Sequence, residues 1–205
     1  MSDVIIRGYR PSDRAALDDI CIRTGHVGGD ARGHFREPEL LPLLFAAPYA
    51  AFDPDLVFVA DNGERAIGYI VGTDDSPAYY ERFRREWLPP LADRYPAPDG
   101  EPDGPDATLR YLLHHPETMM DPEVVRAYPA HLHIDLLPEG QRRGFGRRLM
   151  TALWDALRAR GVPGVHLGLN PANTNARAFY DRLGFTELTP SVPDEDVVYL
   201  GKRLG

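Results

Sequence analysis

A short run of glycines and arginines could bind an anion. Residues 141–146 (QRRGFG) stand between a predicted strand and a predicted helix. Unpaired N–H groups at a helix start point outward, and the helix dipole adds partial positive charge there. Gly144 and Gly146 would let a diphosphate approach the backbone, and the arginines of the run, with Arg147 and Arg148, could add bidentate contacts. The spacing matches neither the dinucleotide nor the nucleotide-triphosphate pattern. It predicts a diphosphate-binding turn, or else a helix start with solvated arginines.

Polar side chains alternate with apolar ones along the strand predicted just before that turn. Within residues 131–137 (HLHIDLL), His131, His133 and Asp135 share one face, because successive side chains of a strand point to opposite sides. Histidine titrates near neutral pH, so His133 and the carboxylate of Asp135 are candidate general bases, with His131 a weaker candidate. The alternative is that both are buried polar residues satisfied by backbone N–H groups.

Tyr180 is a candidate general acid on a later helix. That helix is predicted from Ala176, Phe179, Tyr180 and Leu183, which fall at i, i+3, i+4 and i+7 before Gly184. A phenol with a pKa of about 10 is protonated at pH 7 and could donate to a leaving group. On spacing alone, a core aromatic residue is the better explanation.

Two other histidine pairs carry weaker signals. His26 and His34 flank a glycine-rich loop and are interpreted mainly as surface residues. His114, His115 and Glu117 are residue types that bind metals. Adjacent histidines point apart on a helix, however, so only one of them could share a site with Glu117, and no third ligand is evident. We therefore predict no metal site.

The composition excludes several classes of protein. The chain has 205 residues, 43% hydrophobic and 26% charged, which favours one domain with a sizeable core. The formal net charge of −8 argues against a protein that coats nucleic acid. The single cysteine, Cys21, rules out an intrachain disulfide framework. Neither a signal peptide nor an apolar run of roughly 20 residues is visible, which predicts a cytoplasmic protein without membrane contact.

The elements that must position these residues follow from periodicity. A long amphipathic helix is predicted after the glycine turn, with Phe145, Leu149, Leu153 and Ala156 on its apolar side. The first helix is predicted to begin at an N-cap, Ser12. Strands are predicted at 4–9, 55–60, 66–72, 131–137, 165–169, 185–188 and 196–200. Further helices are predicted at 38–45, 79–87 and 108–115.

Residues from about 73 to 128 differ in character and are predicted to form an insertion packed on the main domain. The segment 79–87 (YYERFRREW) places its aromatic residues at helical spacing, so we expect them to pack the insertion onto the sheet, or alternatively to line a groove. Residues 96–106 (PAPDGEPDGPD) are rich in Pro, Gly and Asp and predict a surface loop.

Together, the turn and the later helix resemble the GNAT family of N-acetyltransferases. Gln141 to Gly146 fit the acyl-CoA signature of that family, Gln/Arg-x-x-Gly-x-Gly/Ala. Its later pattern, Asn-x-x-Ala-x-x-x-Tyr-x-x-x-Gly-Phe, is met by Asn173, Ala176, Tyr180, Gly184 and Phe185.

A closer resemblance is to the acetyltransferase-like domain at the C-terminus of eukaryotic O-GlcNAcases. It covers most of the chain and predicts a free-standing bacterial relative of that domain. The eukaryotic domain is thought to have lost its CoA-binding turn, whereas the turn is intact here. The similar stretches are 18–21, 57–60, 68–69, 87–89, 94–96 and 196–201.

The resemblance implies an α/β (α+β) fold. We expect one GNAT domain over residues 1–205, with a mixed, twisted sheet of about seven strands flanked by helices. The sheet should splay between the fourth and fifth strands, and the helical insertion should lie between the third and fourth strands.

The resemblance also implies a cofactor, acetyl-CoA, and the residues that bind it. Backbone groups of Asp135, Leu136 and Leu137 would bond the pantetheine amides, the turn would hold the pyrophosphate, and Asn173 would contact the cofactor beside Phe179. The implied cofactor-binding residues are Asp135, Leu136, Leu137, Gln141, Arg142, Arg143, Gly144, Phe145, Gly146, Arg147, Asn173, Phe179 and Tyr180.

The implied reaction is acetyl transfer to a primary amine by direct attack on the thioester. The amine must lose a proton to Asp135 or His133, a backbone N–H of the splayed strand could bind the oxyanion, and Tyr180 would protonate the thiolate. Cys21 lies far in sequence from the turn and has no evident base beside it, which argues against an acyl-enzyme. The acceptor would be a small-molecule or peptide amine, and the protein a monomer or homodimer. The alternative is a CoA-binding or protein-interaction module with little catalytic activity.

Overall fold

A computed structural model describes residues 3–192 and 195–205 of the chain. Within these residues, seven strands form one mixed sheet in the order β1-β2-β3-β4-β5-β7-β6. The prediction of a seven-stranded mixed sheet is confirmed. The strands are β1 (Ile5–Gly8), β2 (Val57–Asp61), β3 (Ala66–Thr73), β4 (Ala130–Leu136), β5 (Gly164–Leu169), β6 (Thr186–Glu187) and β7 (Val198–Arg203).

Helices cover both faces of the sheet. The helices are α1 (Arg14–Thr24), α2 (Leu40–Phe45), α3 (Ala47–Phe52), α4 (Ser76–Arg82), α5 (Pro89–Ala92), α6 (Pro105–His114), α7 (Pro122–Ala127), α8 (Phe145–Ala159) and α9 (Thr174–Arg182). On one face, the apolar sides of α8 and α9 pack against the central strands. On the other face, α1 to α3 and helices of the insertion form a second core.

The sheet opens between its two parallel strands. β4 and β5 pair only at Ala130 with Val165 and at His131 with His166, while all other neighbouring strands run antiparallel. In the described part of the chain, β4 beyond His131 therefore has a strand neighbour only on its β3 side. The predicted splay between the fourth and fifth strands is confirmed, and it leaves backbone groups of β4 open to a ligand.

The insertion lies between β3 and β4, as predicted, and packs on the sheet through its aromatic residues. Tyr79, Tyr80 and Phe83 are buried, and the Trp87 indole N–H donates to the Leu43 carbonyl at 2.9 Å. The stretch predicted as one helix over 79–87 is instead α4 followed by a wider, π-helical turn, and α5 begins directly after it at Pro89.

The start of the first helix differs from the prediction. Ser12 is not an N-cap, because it lies inside a short 3₁₀ turn that precedes α1. The Asp13 carboxylate caps that turn by accepting from the Arg10 N–H at 2.8 Å, and it also pairs with the Arg7 guanidinium at 2.7 Å. None of the helices in the described residues has the length and apolar character that a bilayer crossing requires.

Candidate active site

The glycine turn bends the chain from β4 into α8. Gly144 has φ +82° at the N-cap of α8, and Arg142 also has a positive φ, +56°. At Gly146, a Cβ atom would lie 3.1 Å from the Phe179 ring and 3.3 Å from a Leu136 methyl, so glycine lets the helix start approach β4 and α9 closely. The first N–H groups of α8 therefore stand at the open end of the splay, where an anion is favoured.

A groove of about 510 Å³ runs from this turn along β4 to the loop after α1. Residues of β4, of α9 and of the loop at residues 27–28 line it. The lining residues are Thr24, Val27, Gly28, Ile134, Asp135, Leu136, Gln141, Arg142, Gly144, Gly146, Arg147, Asn173, Asn175, Ala176, Phe179, Tyr180, Arg182 and Leu183.

Most of the residues selected from the sequence lie in this groove, but the side chains of Arg143 and Phe145 do not. Phe145 is 7% exposed and belongs to the core under the sheet. The Arg143 guanidinium lies over the Phe145 ring, 5.1 Å from its centroid, and donates to the Glu139 carbonyl at 3.3 Å. These two residues could contribute backbone N–H groups to the turn, not side chains.

Antiparallel pairing decides which backbone groups of β4 face the splay. The Leu137 N–H donates to the Ile67 carbonyl at 2.9 Å, which makes these two residues a hydrogen-bonded pair between β4 and β3. Hydrogen-bonded and non-bonded pairs alternate along antiparallel strands. The N–H and C=O groups of Ile134 and Leu136 therefore point into the splay, and those of Asp135 point to β3.

The prediction that Asp135 and Leu137 offer backbone groups to the groove is therefore wrong. Leu137 is fully buried, and its carbonyl also accepts from the Gly140 N–H at 2.8 Å. The backbone groups of Leu136 do face the splay, although its carbonyl already accepts a hydrogen bond from the Gln141 side chain at 2.8 Å. Ile134, which was not predicted, is the second residue whose backbone groups face the splay.

Asp135 contributes its side chain to the groove. The Tyr69 hydroxyl donates to Asp135 Oδ2 at 2.6 Å. Burial raises the pKa of the Asp135 carboxyl, and the hydrogen bond from Tyr69 partly opposes that shift. The carboxylate is thus held in place and is a stronger base than an exposed aspartate.

Cys21 lies beside this carboxylate, contrary to the expectation that no base is near it. The thiol is buried next to the Tyr69 hydroxyl. Burial, and then the negative charge of Asp135, raise the pKa of the Cys21 thiol. A thiolate is therefore disfavoured, and Cys21 does not line the groove, so the argument against an acyl-enzyme rests on the environment of the thiol.

Tyr180 faces the groove from α9 and is 7% exposed. Burial raises the pKa of the Tyr180 phenol, and the nearby charge of Asp135 raises it further. Among the described residues, no side chain or backbone group forms a hydrogen bond with its hydroxyl. The phenol therefore keeps its proton and is free to donate it.

His131 and His133 lie on the same face of β4 as Asp135, as predicted, but neither lines the groove. They belong to a buried chain of hydrogen bonds: His133 Nε2 to Tyr49 Oη at 3.1 Å, Tyr49 Oη to His131 Nε2 at 2.7 Å, and His131 Nδ1 to Ser76 Oγ at 2.7 Å. Burial lowers the pKa of His133 to about 4 and that of His131 well below its ordinary value.

The donor and acceptor roles along this series of hydrogen bonds follow from its last member, Ser76. Ser76 Oγ lies 2.6 Å from the Pro129 carbonyl, which can only accept, so the serine hydroxyl donates there. His131 must then donate from Nδ1 and accept at Nε2 from the Tyr49 hydroxyl, which leaves His133 to donate from Nε2. His131 thus has no free acceptor atom, and its structural interpretation is favoured.

The remaining candidates have local structural roles. Asn173 lines the groove, but its Oδ1 caps α9 by accepting from the Ala176 N–H at 3.1 Å. His114 Nε2 bonds the Tyr95 carbonyl at 2.7 Å, and His115 faces Glu117 at 3.8 Å. The described residues contain no group of three or more potential ligands placed to hold a metal ion.

Besides Ile134, the groove contains residues that were not predicted to line it, namely Thr24, Val27, Gly28, Asn175 and Arg182. Thr24 ends α1 and Arg182 ends α9, so both lie at helix ends that the periodic patterns did not define to the residue. Val27 lies in the glycine-rich loop between His26 and His34. The nearness of that loop to β4 depends on tertiary packing of α1 against the sheet, which a single sequence does not reveal.

The fold and the groove define a class of protein, and comparisons with known proteins agree. Residues 107–185 match the acetyltransferase (GNAT) family. The crystal structure of SsHAT is 51% identical, covers 99% of both chains and gives a TM-score of 0.94. The structure of yncA from Salmonella typhimurium with its cofactor acetyl-CoA shares the fold, with a TM-score of 0.56 and 19% identity over 98% of this chain and 94% of that one. This chain belongs to the GNAT acetyltransferase family.

The second resemblance is also confirmed. Protein O-GlcNAcase of Rattus norvegicus is 26% identical over 201 residues, which is 97% of this chain. The chain spans 22% of the length of that protein. The likeness therefore concerns one region of the larger relative.

Proposed function

We propose that this protein is an N-acetyltransferase that uses acetyl-CoA and moves the acetyl group to a primary amine by direct attack. The observation that carries the proposal is the groove itself. One end has the N–H groups of the α8 start with Arg142 and Arg147, and the other end has the Tyr180 hydroxyl and the Asp135 carboxylate. One elongated site thus combines anion-binding and proton-transfer groups.

The residues present fit the proposed cofactor. Gly144 has open space where a Cβ would stand, and its positive φ turns the following N–H groups toward the groove. Gln141, Arg142 and Arg147 would hold the diphosphate at this end. The Ile134 and Leu136 backbone groups that face the splay would bond the pantetheine amides, as an added strand would.

The proton-transfer roles follow from the two side chains at the far end. When bound, acetyl-CoA would supply a thioester carbonyl for the amine to attack. The Asp135 carboxylate, held by Tyr69, would take the amine proton, and Tyr180 would hold a proton for the leaving sulfur. His133 is the second candidate base, and we favour Asp135 because His133 does not line the groove.

The acceptor is proposed as a small-molecule or peptide amine. The net charge of −8 and the carboxylate at the acceptor end favour a cationic amine over nucleic acid. We further propose a cytoplasmic, bacterial protein, a monomer or homodimer, with residues 1–205 as a single domain and 73–128 as its insertion. The single cysteine is consistent with a reducing compartment.

A second candidate function is a CoA-binding or protein-interaction module with little turnover. The 2.6 Å bond from Tyr69 to Asp135 favours it, because a carboxylate that already accepts one hydrogen bond is less available as a base. Similarity to O-GlcNAcase over 97% of the chain is compatible with it.

Two measurements separate these functions. Calorimetry with CoA tests the binding end of the groove, and thiol release from acetyl-CoA with a panel of alkylamines, amino-acid amides and peptides tests the transfer. Binding together with acceptor-dependent thiol release supports the enzyme. Binding without release for any acceptor supports the module, and no binding contradicts both.

A further inference from the structure

The tight turn at the acceptor end of the groove contains an unusual residue. Val27 and Gly28 both have positive φ, +50° and +83°. His26 and Gly29, on either side, exchange two backbone hydrogen bonds of 3.0 and 2.8 Å. Two central residues with positive φ define a type I′ turn, which favours Asn, Asp or Gly. A β-branched valine there is a backbone outlier.

Packing does not explain this valine. Its side chain is 47% exposed, so it adds little to the core. Among the described residues, only Val27 and Arg142 combine a side chain with a positive φ, and both line the same groove. Strained backbone of this kind is retained where function uses it. The stacked rings of His26 and His34, with centroids 3.9 Å apart, fix the loop that carries the turn.

We propose that Val27 contacts the acceptor, and that the acceptor is a primary amine with an apolar substituent on the carbon next to the amine. The inference rests on the proposed function. The ammonium group of the acceptor would be attracted to the Asp135 carboxylate. Its apolar substituent would pack on the Val27 methyl groups, next to Gly28, which has no side chain. A carboxylate in the place of that substituent would be repelled by Asp135.

The test compares Val27→Asn with the wild-type protein, because asparagine tolerates a positive φ and removes the methyl groups. Leucinamide and glycinamide, which differ only in the apolar substituent, are titrated into the CoA-loaded protein, and the amide signal of Gly28 is followed by NMR. Ile5→Asn is the control, since Ile5 is 52% exposed on β1 and lies outside the groove.

The wild type should bind leucinamide about tenfold more tightly than glycinamide. Val27→Asn should abolish that preference, leave CoA affinity unchanged and raise the thermal midpoint by roughly 2–4 °C through relief of strain. Ile5→Asn should keep the preference. A midpoint that does not rise, an undiminished preference in Val27→Asn, or no leucinamide binding to the CoA-loaded wild type each overturns the inference. Failure to bind CoA contradicts the proposed function instead.

Discussion

At the scale of single residues, the site depends on two side chains that reach the groove from different elements. Tyr180 comes from α9 and is buried, and Asp135 comes from β4 and is partly buried. Their pKa values are raised by burial, which keeps the phenol protonated and makes the carboxylate more basic. Such a pair suits a reaction in which one group accepts a proton and the other donates one.

Replacing Tyr180 with phenylalanine should slow turnover without weakening CoA binding. The ring still packs, while the proton donor is lost, so we expect kcat to fall roughly 100-fold. Steady-state kinetics and calorimetry on the same preparation measure the two effects. A change confined to KM would argue against the role of Tyr180 as an acid.

Replacing Tyr69 with phenylalanine should shift the acid limb of the pH–rate profile to higher pH. The Tyr69 hydroxyl lowers the pKa of Asp135 by donating to its carboxylate, so its removal raises that pKa further. Activity would then be lost at a higher pH as the base becomes protonated. Tyr95→Phe is the control, because its buried hydroxyl has no partner among the described residues. An unshifted limb in Tyr69→Phe would remove Asp135 as the base.

The placement of individual residues could be predicted where a periodic pattern determined it. The face shared by His133 and Asp135 followed from the alternation along one strand. Which backbone groups point into the splay depends on how β4 pairs with β3, and the sequence of β4 alone does not contain that register. The prediction therefore included Asp135 and Leu137 beside Leu136, and it missed Ile134.

At the scale of elements, the start of α8 is the part of the site that binds charge. Its position follows from the splay, since β5 leaves β4 after His131 and exposes the helix start. The long, periodic helix was predicted because its apolar stripe is strong. The short helices α3 and α7 were missed, because six residues with a proline near the start give little periodicity and are stabilised by packing.

Gly144→Glu should abolish CoA binding, because it places a carboxylate where the diphosphate would lie and gives a side chain to a residue with φ +82°. Gly161→Glu is the matched control. Gly161 also has open space around it and a positive φ, +74°, but lies beyond the other end of α8. Calorimetry should show loss of binding only in Gly144→Glu. Equal affinity in both folded variants would contradict the assignment of the turn.

At the scale of the whole molecule, three histidines lie close together at the junction of the two parallel strands, with His131 and His166 buried and His133 partly buried. His131, His133 and His166 lie within 6.3 Å of a neighbour, ring to ring, and burial lowers the pKa of each. Charging these rings inside the core is unfavourable, so the fold should be sensitive to acid.

The free energy of unfolding should fall as the pH drops from 6.5 toward 4. The unfolded histidines take up protons near pH 6.5 while the folded ones stay neutral, and His133 alone would cost about 3 kcal/mol at pH 4. The raised pKa values of Asp135 and Asp53 act in the opposite direction and offset part of the loss. Urea unfolding across this range measures the slope. A flat profile would contradict the neutral, buried state of the histidines, and His166→Gln should reduce the slope.

The measurement that tests the central claim most directly is a calorimetric comparison of CoA with pantetheine, which lacks the diphosphate and the nucleotide. If the α8 start and its arginines hold the diphosphate, one CoA should bind per chain and pantetheine should bind at least about 100-fold more weakly. Equal affinities, or no heat with CoA, would contradict the account.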